Sequence, residues 1–388
     1  MTGTDAPTHK LIELDSLRGL MALWVYVTHV AFIVGFRPGG IAALAVNGSM
    51  AVSVFMILSG FAIATSLLNR PSTYPHYLAR RFFRIYPIYS VGLILGIATS
   101  ALYPALLSLS PGMDPADLAR VASRTAGEST HFWAHLAAHA TLLHGAIPDA
   151  WLYGSALAFN GPAWSLSLEA QFYVVAPLMI ALLVHPASRP ILLALLALLA
   201  FFGRPLFGDV FPQVPSFLLL ALPYFILGIM TAIHIGTLAT RPEVTLAVGL
   251  TLVAVAFHAG ENLVAIPIAI WVGAIGVSIV PQWRIFRSAR AVLRWRPLLT
   301  MGEISYGFYI LHLPILIGWG WALQARGVPP GEPLFLPLLL LTAPITLGLA
   351  YGSYRWFERP INDWARRRFR AEATLPAAPP APALPGQA

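Results

Sequence analysis

Two ionisable residues, Arg18 and His29, lie eleven residues apart in one apolar stretch, LDSLRGLMALWVYVTHV. An α-helix advances about 100° and 1.5 Å per residue, so eleven residues return to nearly the same face about 16 Å along the axis. An arginine near the middle of a bilayer costs at least about 2.5 to 3.5 kcal/mol, so such groups usually face a bundle interior, a partner or a water-filled pathway. The spacing predicts a functional helix face with a fixed cation at one end and a titratable imidazole at the other.

A carboxylate that could act with the imidazole is Glu169, which follows two serines in the segment WSLSLEAQFY. If this helix enters the membrane from outside, Glu169 lies at a depth near that of His29. The two could then form a general-base pair in which the carboxylate orients the ring. Simpler interpretations are that His29 is a hydrogen-bonded packing residue, that Arg18 snorkels with Asp15 as its partner, and that Glu169 favours a helix N-terminus.

Three arginines precede another apolar run in the segment RRFFRIYPIY. Arg80, Arg81 and Arg84 could anchor the helix at the cytoplasmic face, or they could bind phosphate groups, which arginine does well. We favour phosphate binding slightly over an anchor.

Further polar residues could line an internal path through the protein. The segment MGEISYGFYILHLPI carries three of them, and FMILSGF adds a serine next to Gly60, a small pair that is also typical of close helix packing. The candidates are Asp15, Ser59, Ser305, Tyr306 and His312.

The composition indicates that a membrane surrounds these residues. The chain is 57% hydrophobic and 10% charged, with a mean hydropathy of +0.72, against about 25% charged residues in soluble domains. The absence of cysteine excludes disulfides, iron–sulfur clusters and a cysteine thioester intermediate. The pI near 10.0 is better explained by basic cytoplasmic loops than by nucleic-acid binding.

The apolar segments predict an all-α, polytopic membrane helix bundle of about ten transmembrane helices. We divide the chain into a cytoplasmic N-terminal segment, 1–10, a transmembrane domain, 11–360, and a cytoplasmic, basic and Pro/Ala-rich disordered tail, 361–388. The segments lie near residues 11–33, 43–66, 87–107, 165–184, 190–207, 215–235, 243–258, 262–281, 303–323 and 334–356.

The distribution of arginine predicts the orientation of the bundle. Threading ten helices from a cytoplasmic N-terminus places most basic residues on the cytoplasmic side, including the clusters 80–84, 284–296 and 355–370. The positive-inside rule therefore favours both termini in the cytoplasm.

Residues 108–164 then form the longest external connection. It contains histidines at 131, 135 and 139, but no carboxylate or cysteine follows at a ligand-like spacing, so we expect no metal site.

The segments together resemble the acyltransferase 3 family of membrane O-acyltransferases, which modify surface polysaccharides, lipopolysaccharide, Nod factors and some macrolides. The matching segments are LDSLRGLMALWVYVTH, FMILSGF, RRFFRIYP, WSLSLEAQFY and ISYGFYILHLP, in the family's order from residue 11 to about 357. The resemblance implies that Arg18 and His29 are essential and that Glu169 is a functional carboxylate. Many members carry a second glutamate where this chain has Ala170.

The resemblance also implies the reaction and its partners. The donor would be acetyl-CoA or another acyl-CoA, supplied from the cytoplasm and held by Arg18 with Arg80, Arg81 or Arg84. His29 would act as the base, or alternatively would carry the acyl group itself. The acceptor would be a hydroxyl of a cell-surface or lipid-linked glycan, or alternatively of a small natural product such as a macrolide, at the bacterial cytoplasmic (inner) membrane. A different class, a transporter or flippase for a glycan or anionic substrate, also fits intramembrane charges.

Overall fold

The computed structural model describes residues 11–258, 260–280 and 282–369, and this part of the chain is helical without strands. The helices are α1 Glu13–Ile33, α2 Ala42–Ala45, α3 Gly48–Asn69, α4 Tyr74–Ser100, α5 Leu102–Ser108, α6 Pro115–Thr130, α7 Phe132–Ala140, α8 Trp164–Val184, α9 Arg189–Phe207, α10 Leu218–Thr240, α11 Pro242–His258, α12 Asn262–Ile279, α13 Arg284–Leu293, α14 Arg296–Ala325, α15 Glu332–Ser353 and α16 Arg359–Arg368.

The predicted class, an all-α polytopic membrane bundle, is confirmed. Within the described residues, seven helices are long and apolar enough to cross a membrane, or eight if a pair bent by 96° near residue 280 forms one span. The seventeen-residue helix α11 is apolar but shorter. Each of the ten predicted segments overlaps a helix. The number of spans and their orientation stay predictions.

Helices α1 and α14 run side by side in the same direction and in a fixed register. Gly19 meets Gly302 so closely that a Cβ on either glycine would overlap the neighbouring backbone. His29 and His312 also meet, and both pairs are separated by 283 residues in sequence. Each residue of α1 therefore lies level with the residue 283 positions later on α14.

A second close crossing joins α3 to α10. A Cβ on Gly60 would overlap the backbone at Phe225, and a Cβ on Gly228 would overlap the backbone at Ile57. Gly60 therefore serves close packing, and this contact fixes how α3 presents the adjacent Ser59.

The last part of the connection before α8 packs into the bundle, although Leu143, Trp151 and Tyr153 stay exposed. We call residues 142–163 the inserted segment. Asn160, which is fully buried, donates from Nδ2 to the carbonyl oxygens of Gly92 on α4 at 3.3 Å and Ile310 on α14 at 3.0 Å. Ile310 has a free carbonyl because Pro314, four residues later, has no N–H. Helix α8 consequently begins at the level of mid-α14, inside the bundle.

The first part of the segment predicted as a disordered tail is helical, which corrects that prediction for residues 361–368. The aromatic rings near its end explain the order. Trp364 and Phe369 pack on Phe83 of α4, with ring centroids 5.1 and 5.9 Å away. Arg80 donates to the carbonyl oxygen of Phe369 at 2.7 Å. Residues 1–10 and 370–388 lie outside the described residues.

Candidate active site

Three arginines converge on one cavity between α1, α3, α4, α8 and α14, which we call the arginine cavity. It holds about 710 Å³ of space free of protein atoms, its opening included. Arg18, Arg81 and Arg84 line it together with a single carboxylate, that of Glu169. The remaining polar lining residues are Ser59, Ser165, Tyr173, Ser305, Tyr306 and Tyr309. The lining therefore carries an excess of positive charge, which suits an anionic ligand.

The arginines are held in place by neighbours on several helices. Arg18 forms an ion pair with Asp15 one turn earlier, at 3.6 Å between Nη1 and Oδ1. Arg81 donates to the Ser66 hydroxyl at 3.2 Å and lies over the rings of Tyr77 and Tyr173, 5.5 and 5.7 Å from their centroids. Stacking of this kind holds the guanidinium plane while leaving N–H donors for a ligand.

Glu169 lies in the arginine cavity, and this corrects the expectation that it sits beside His29. Its Oε1 accepts hydrogen bonds from the hydroxyls of Ser59 at 2.9 Å and Tyr173 at 2.5 Å. The expectation assumed that α8 starts at the outer membrane face. Because the inserted segment lets α8 start inside the bundle, Glu169 reaches the cavity that Ser305 also lines.

The imidazole of His29 has a second histidine as its neighbour. His29 Nδ1 lies 2.9 Å from the carbonyl oxygen of Val25 and 3.2 Å from Nε2 of His312. The ring centroids are 4.9 Å apart. His312 is fully buried, whereas His29 is only half-buried. The sequence analysis predicts that His312 lines an internal path. In the structure, its Nε2 contacts the imidazole of His29.

Tyr309 connects the arginine cavity with this histidine pair. Its ring lines the cavity beside Phe55, at 5.6 Å between centroids. The same ring lies 5.9 Å from that of His312. The Tyr309 hydroxyl donates to the carbonyl oxygen of Pro162 at 3.1 Å and accepts from the Ser165 hydroxyl at 2.9 Å. The inserted segment thus positions the Tyr309 ring, which separates the arginine cavity from the histidine pair.

The other predicted residues divide between the cavity and its surroundings. Ser305 and Tyr306 line the cavity, with their hydroxyls donating to the carbonyl oxygens of Gly302 and Ile85 at 2.8 and 2.9 Å. Arg80 does not line it. Its guanidinium donates to Ser72 and to the backbone of Phe369, so the structure shows Arg80 anchoring the C-terminal helix.

A pair of stacked histidines holds the inserted segment. The rings of His139 and His144 are 3.8 Å apart and nearly parallel. Their Nε2 atoms donate to the carbonyl oxygens of Ser155 at 3.1 Å and Ala163 at 3.0 Å. Burial lowers the pKa of His144 to about 4 and that of His139 well below its usual range, where the neighbouring His144 lowers it further. Within the described residues, no group of three or more His, Asp or Glu could hold a metal ion.

Sequence reasoning missed Tyr173, Tyr309 and Asn160. Tyr173 could have been found because it lies four residues after Glu169 and so shares its helix face. The proline at position 314 signals a free carbonyl at Ile310, but it does not reveal that Asn160 reaches it. That contact depends on the path of the inserted segment.

These features define a polar site inside the helix bundle, and comparison with known proteins identifies the class of the protein. The family model described as an acyltransferase domain, that of the acyltransferase 3 family, matches residues 11–355. The chain therefore belongs to this family and is an acyltransferase of the multi-pass membrane class.

Individual relatives agree with this assignment. The chain is 28% identical to Acyltransferase MdmB of Streptomyces mycarofaciens, over 97% of this chain and 98% of the relative. It is 26% identical to BcsY of Komagataeibacter xylinus, named as a membrane-bound transacylase, over 80% of this chain and 74% of the relative. A shorter match, 35% identical over 20% of this chain, is to YrhL of Bacillus subtilis, named as a peptidoglycan O-acetyltransferase, of which it covers 11%. No solved structure matches the chain.

Proposed function

We propose that the protein transfers an acyl group, acetyl in the simplest case, from an acyl-CoA to a hydroxyl of a cell-surface or lipid-linked glycan. The observation that carries this proposal is the convergence of Arg18, Arg81 and Arg84 on one cavity. Coenzyme A has its phosphates at one end and its thioester at the end of a long flexible arm. Guanidinium groups bind phosphate through paired, charge-assisted hydrogen bonds.

The spacing along α1 fits the length of this donor. Arg18 lines the cavity, and His29 lies eleven residues further on the same helix, about 16 Å along its axis. With the phosphates at the arginines, the pantetheine arm extends past Phe55 and Tyr309 toward His29. The thioester carbonyl then lies next to the half-buried imidazole.

The chemistry at His29 is general-base catalysis. The imidazole removes the proton of the acceptor hydroxyl while the oxygen attacks the thioester carbonyl carbon. The carbon–sulfur bond then breaks, and the same imidazole returns the proton to sulfur, so that coenzyme A leaves as its thiol. Glu169 provides a negative charge near the three arginines and lowers the cost of keeping them charged in the bundle.

The site lies in the cytoplasmic membrane of a bacterium in this proposal, with the arginine cavity facing the cytoplasm and the donor. Arg81 and Arg84 belong to the arginine cluster that the positive-inside rule places there. The acceptor hydroxyl approaches His29 from the outer half of the bundle.

Mass spectrometry of acylated cell products tests the function. Surface glycans, lipid-linked sugars and small metabolites are compared between cells with the wild-type protein and cells with the Arg18→Ala or His29→Ala variant. We expect one acyl group to disappear from one class of compound in both variants. If a small metabolite loses the acyl group, the acceptor is that metabolite and not a glycan. An unchanged set of acylated products would contradict the proposal.

A further inference from the structure

We propose that His312 is a positioning residue that holds His29 with Nε2 as the atom that exchanges the proton. This inference rests on the proposed role of His29 as the base. It follows from the hydrogen bonds of the two rings, which assign a tautomer to each.

The backbone fixes the tautomer of His29. Its Nδ1 lies 2.9 Å from the carbonyl oxygen of Val25. A carbonyl oxygen only accepts hydrogen bonds, so Nδ1 must carry the hydrogen. In the neutral ring, Nε2 is then without hydrogen, and its lone pair is the one that can take up a proton.

The backbone fixes the tautomer of His312 in the same way. Its Nδ1 lies 2.6 Å from the carbonyl oxygen of Tyr309, so Nδ1 carries the hydrogen there too. Nε2 of His312 is therefore an acceptor, and it lies 3.2 Å from Nδ1 of His29. One N–H of His29 is shared between two acceptors, the Val25 carbonyl and the His312 ring.

This arrangement matters most while His29 is a cation. When Nε2 of His29 has taken the proton of the substrate hydroxyl, the positive charge is shared by both ring nitrogens. Nδ1–H of His29 then becomes a stronger hydrogen-bond donor. His312 accepts this hydrogen bond without taking the proton itself. It thus plays the orienting part that a carboxylate plays in other histidine-based sites. The register of α1 on α14, set where Gly19 meets Gly302, keeps the two rings level.

The test replaces the acceptor atom of residue 312 and follows both the tautomer and the kinetics. His312→Leu removes the acceptor. His312→Gln keeps one, because the glutamine amide oxygen can occupy the place of Nε2. His234→Leu, a histidine of α10 that the site does not use, is the matched control. Nitrogen-15 NMR of labelled protein reports which nitrogen of His29 carries hydrogen.

We expect His312→Leu to lower kcat about 10- to 100-fold, because the variant loses one hydrogen bond to a charged group. Its KM for the donor should change less than 3-fold, because the arginine cavity is intact. The NMR spectrum of this variant should show His29 as a mixture of tautomers instead of one. His312→Gln should recover most of kcat and the wild-type tautomer, and His234→Leu should change neither.

The inference fails if His312→Leu folds, retains the wild-type kcat and leaves His29 in one tautomer. If His312→Leu does not fold, His312→Gln decides alone, since loss of the His29 tautomer in that variant also contradicts the inference. Failure of the proposed role of His29 looks different, because a His29→Ala protein would then transfer the acyl group at the wild-type rate.

Discussion

At the scale of single residues, three arginines close together in sequence have different tasks. Arg80 and Arg81 are neighbours, yet their directions on α4 differ by about 100°. Arg81 and Arg84, one turn apart, share the face that lines the cavity, whereas Arg80 binds the end of the C-terminal helix. The segment RRFFRIYP predicted a cationic site, but it could not show which of its side chains face inward. That depends on how α4 packs.

The contrast between Arg80 and Arg81 gives a prediction about donor binding. Arg81→Ala should weaken the binding of acetyl-CoA about 10- to 100-fold, because it removes one or two charge-assisted hydrogen bonds. Arg80→Ala should change the affinity less than 3-fold. Thermal stabilisation of the purified protein by acetyl-CoA measures both effects. Unchanged affinity in Arg81→Ala would contradict the assignment of Arg81 to the cavity, and equal weakening in the two variants would contradict the placement of Arg80 outside it.

At the scale of elements, the inserted segment decides where the carboxylate acts. From sequence alone, residues 108–164 look like an external connection, and α8 is expected to start at the outer face. The buried contacts of Asn160 and the stacked histidines place the segment within the bundle instead. No periodic pattern marks such a segment, because its backbone is held by side chains distant in sequence. The depth of Glu169 could therefore not be predicted.

The stacked histidines predict that the inserted segment loosens in acid. In the folded protein their pKa values lie well below 6.5, the usual value for histidine. Between pH 6.5 and about 4 the unfolded segment therefore binds protons that the folded segment does not. Stability is full above this window and falls as the pH drops through it, by up to about 1.4 kcal/mol per pH unit for each histidine.

Thermal unfolding of the protein in detergent, measured from pH 7.5 to pH 5, checks this dependence. His144→Phe keeps a ring on His139 but removes one titrating group, so it should flatten the dependence. His185→Phe, at an exposed position, should leave it unchanged. A wild-type unfolding temperature that stays constant over this range would show that the histidines do not restrain the segment.

At the scale of the whole molecule, composition and apolar segments were sufficient to predict the fold class. Each of the ten predicted segments overlaps a helix, because long apolar runs have few alternatives in a bilayer. The pairing of helices was not predictable. The level alignment of α1 with α14 depends on the contact between Gly19 and Gly302, and in the sequence these are two of 31 glycines. Without that contact, nothing in the sequence pairs His29 with His312.

The predicted orientation can be tested directly because the chain has no cysteine. Thr73→Cys is made at an exposed position before α4, which we expect in the cytoplasm. Ser129→Cys is made at an exposed position in α6, which we expect outside the cell. A maleimide that cannot cross membranes should label Cys at position 129 in intact cells. It should label position 73 only after permeabilisation. The reverse pattern would place the arginine cavity on the wrong side for a cytoplasmic donor.

The most direct test of the account is acyl transfer by His29→Ala in a protein that still binds the donor. Wild-type and variant proteins are reconstituted with isotopically labelled acetyl-CoA and a membrane extract that contains the acceptor, and label in the acceptor is counted. We expect acetyl-CoA to stabilise both proteins equally, and the label to appear with the wild type and to fall at least about 100-fold with the variant. Transfer by a folded His29→Ala protein at the wild-type rate would contradict the account.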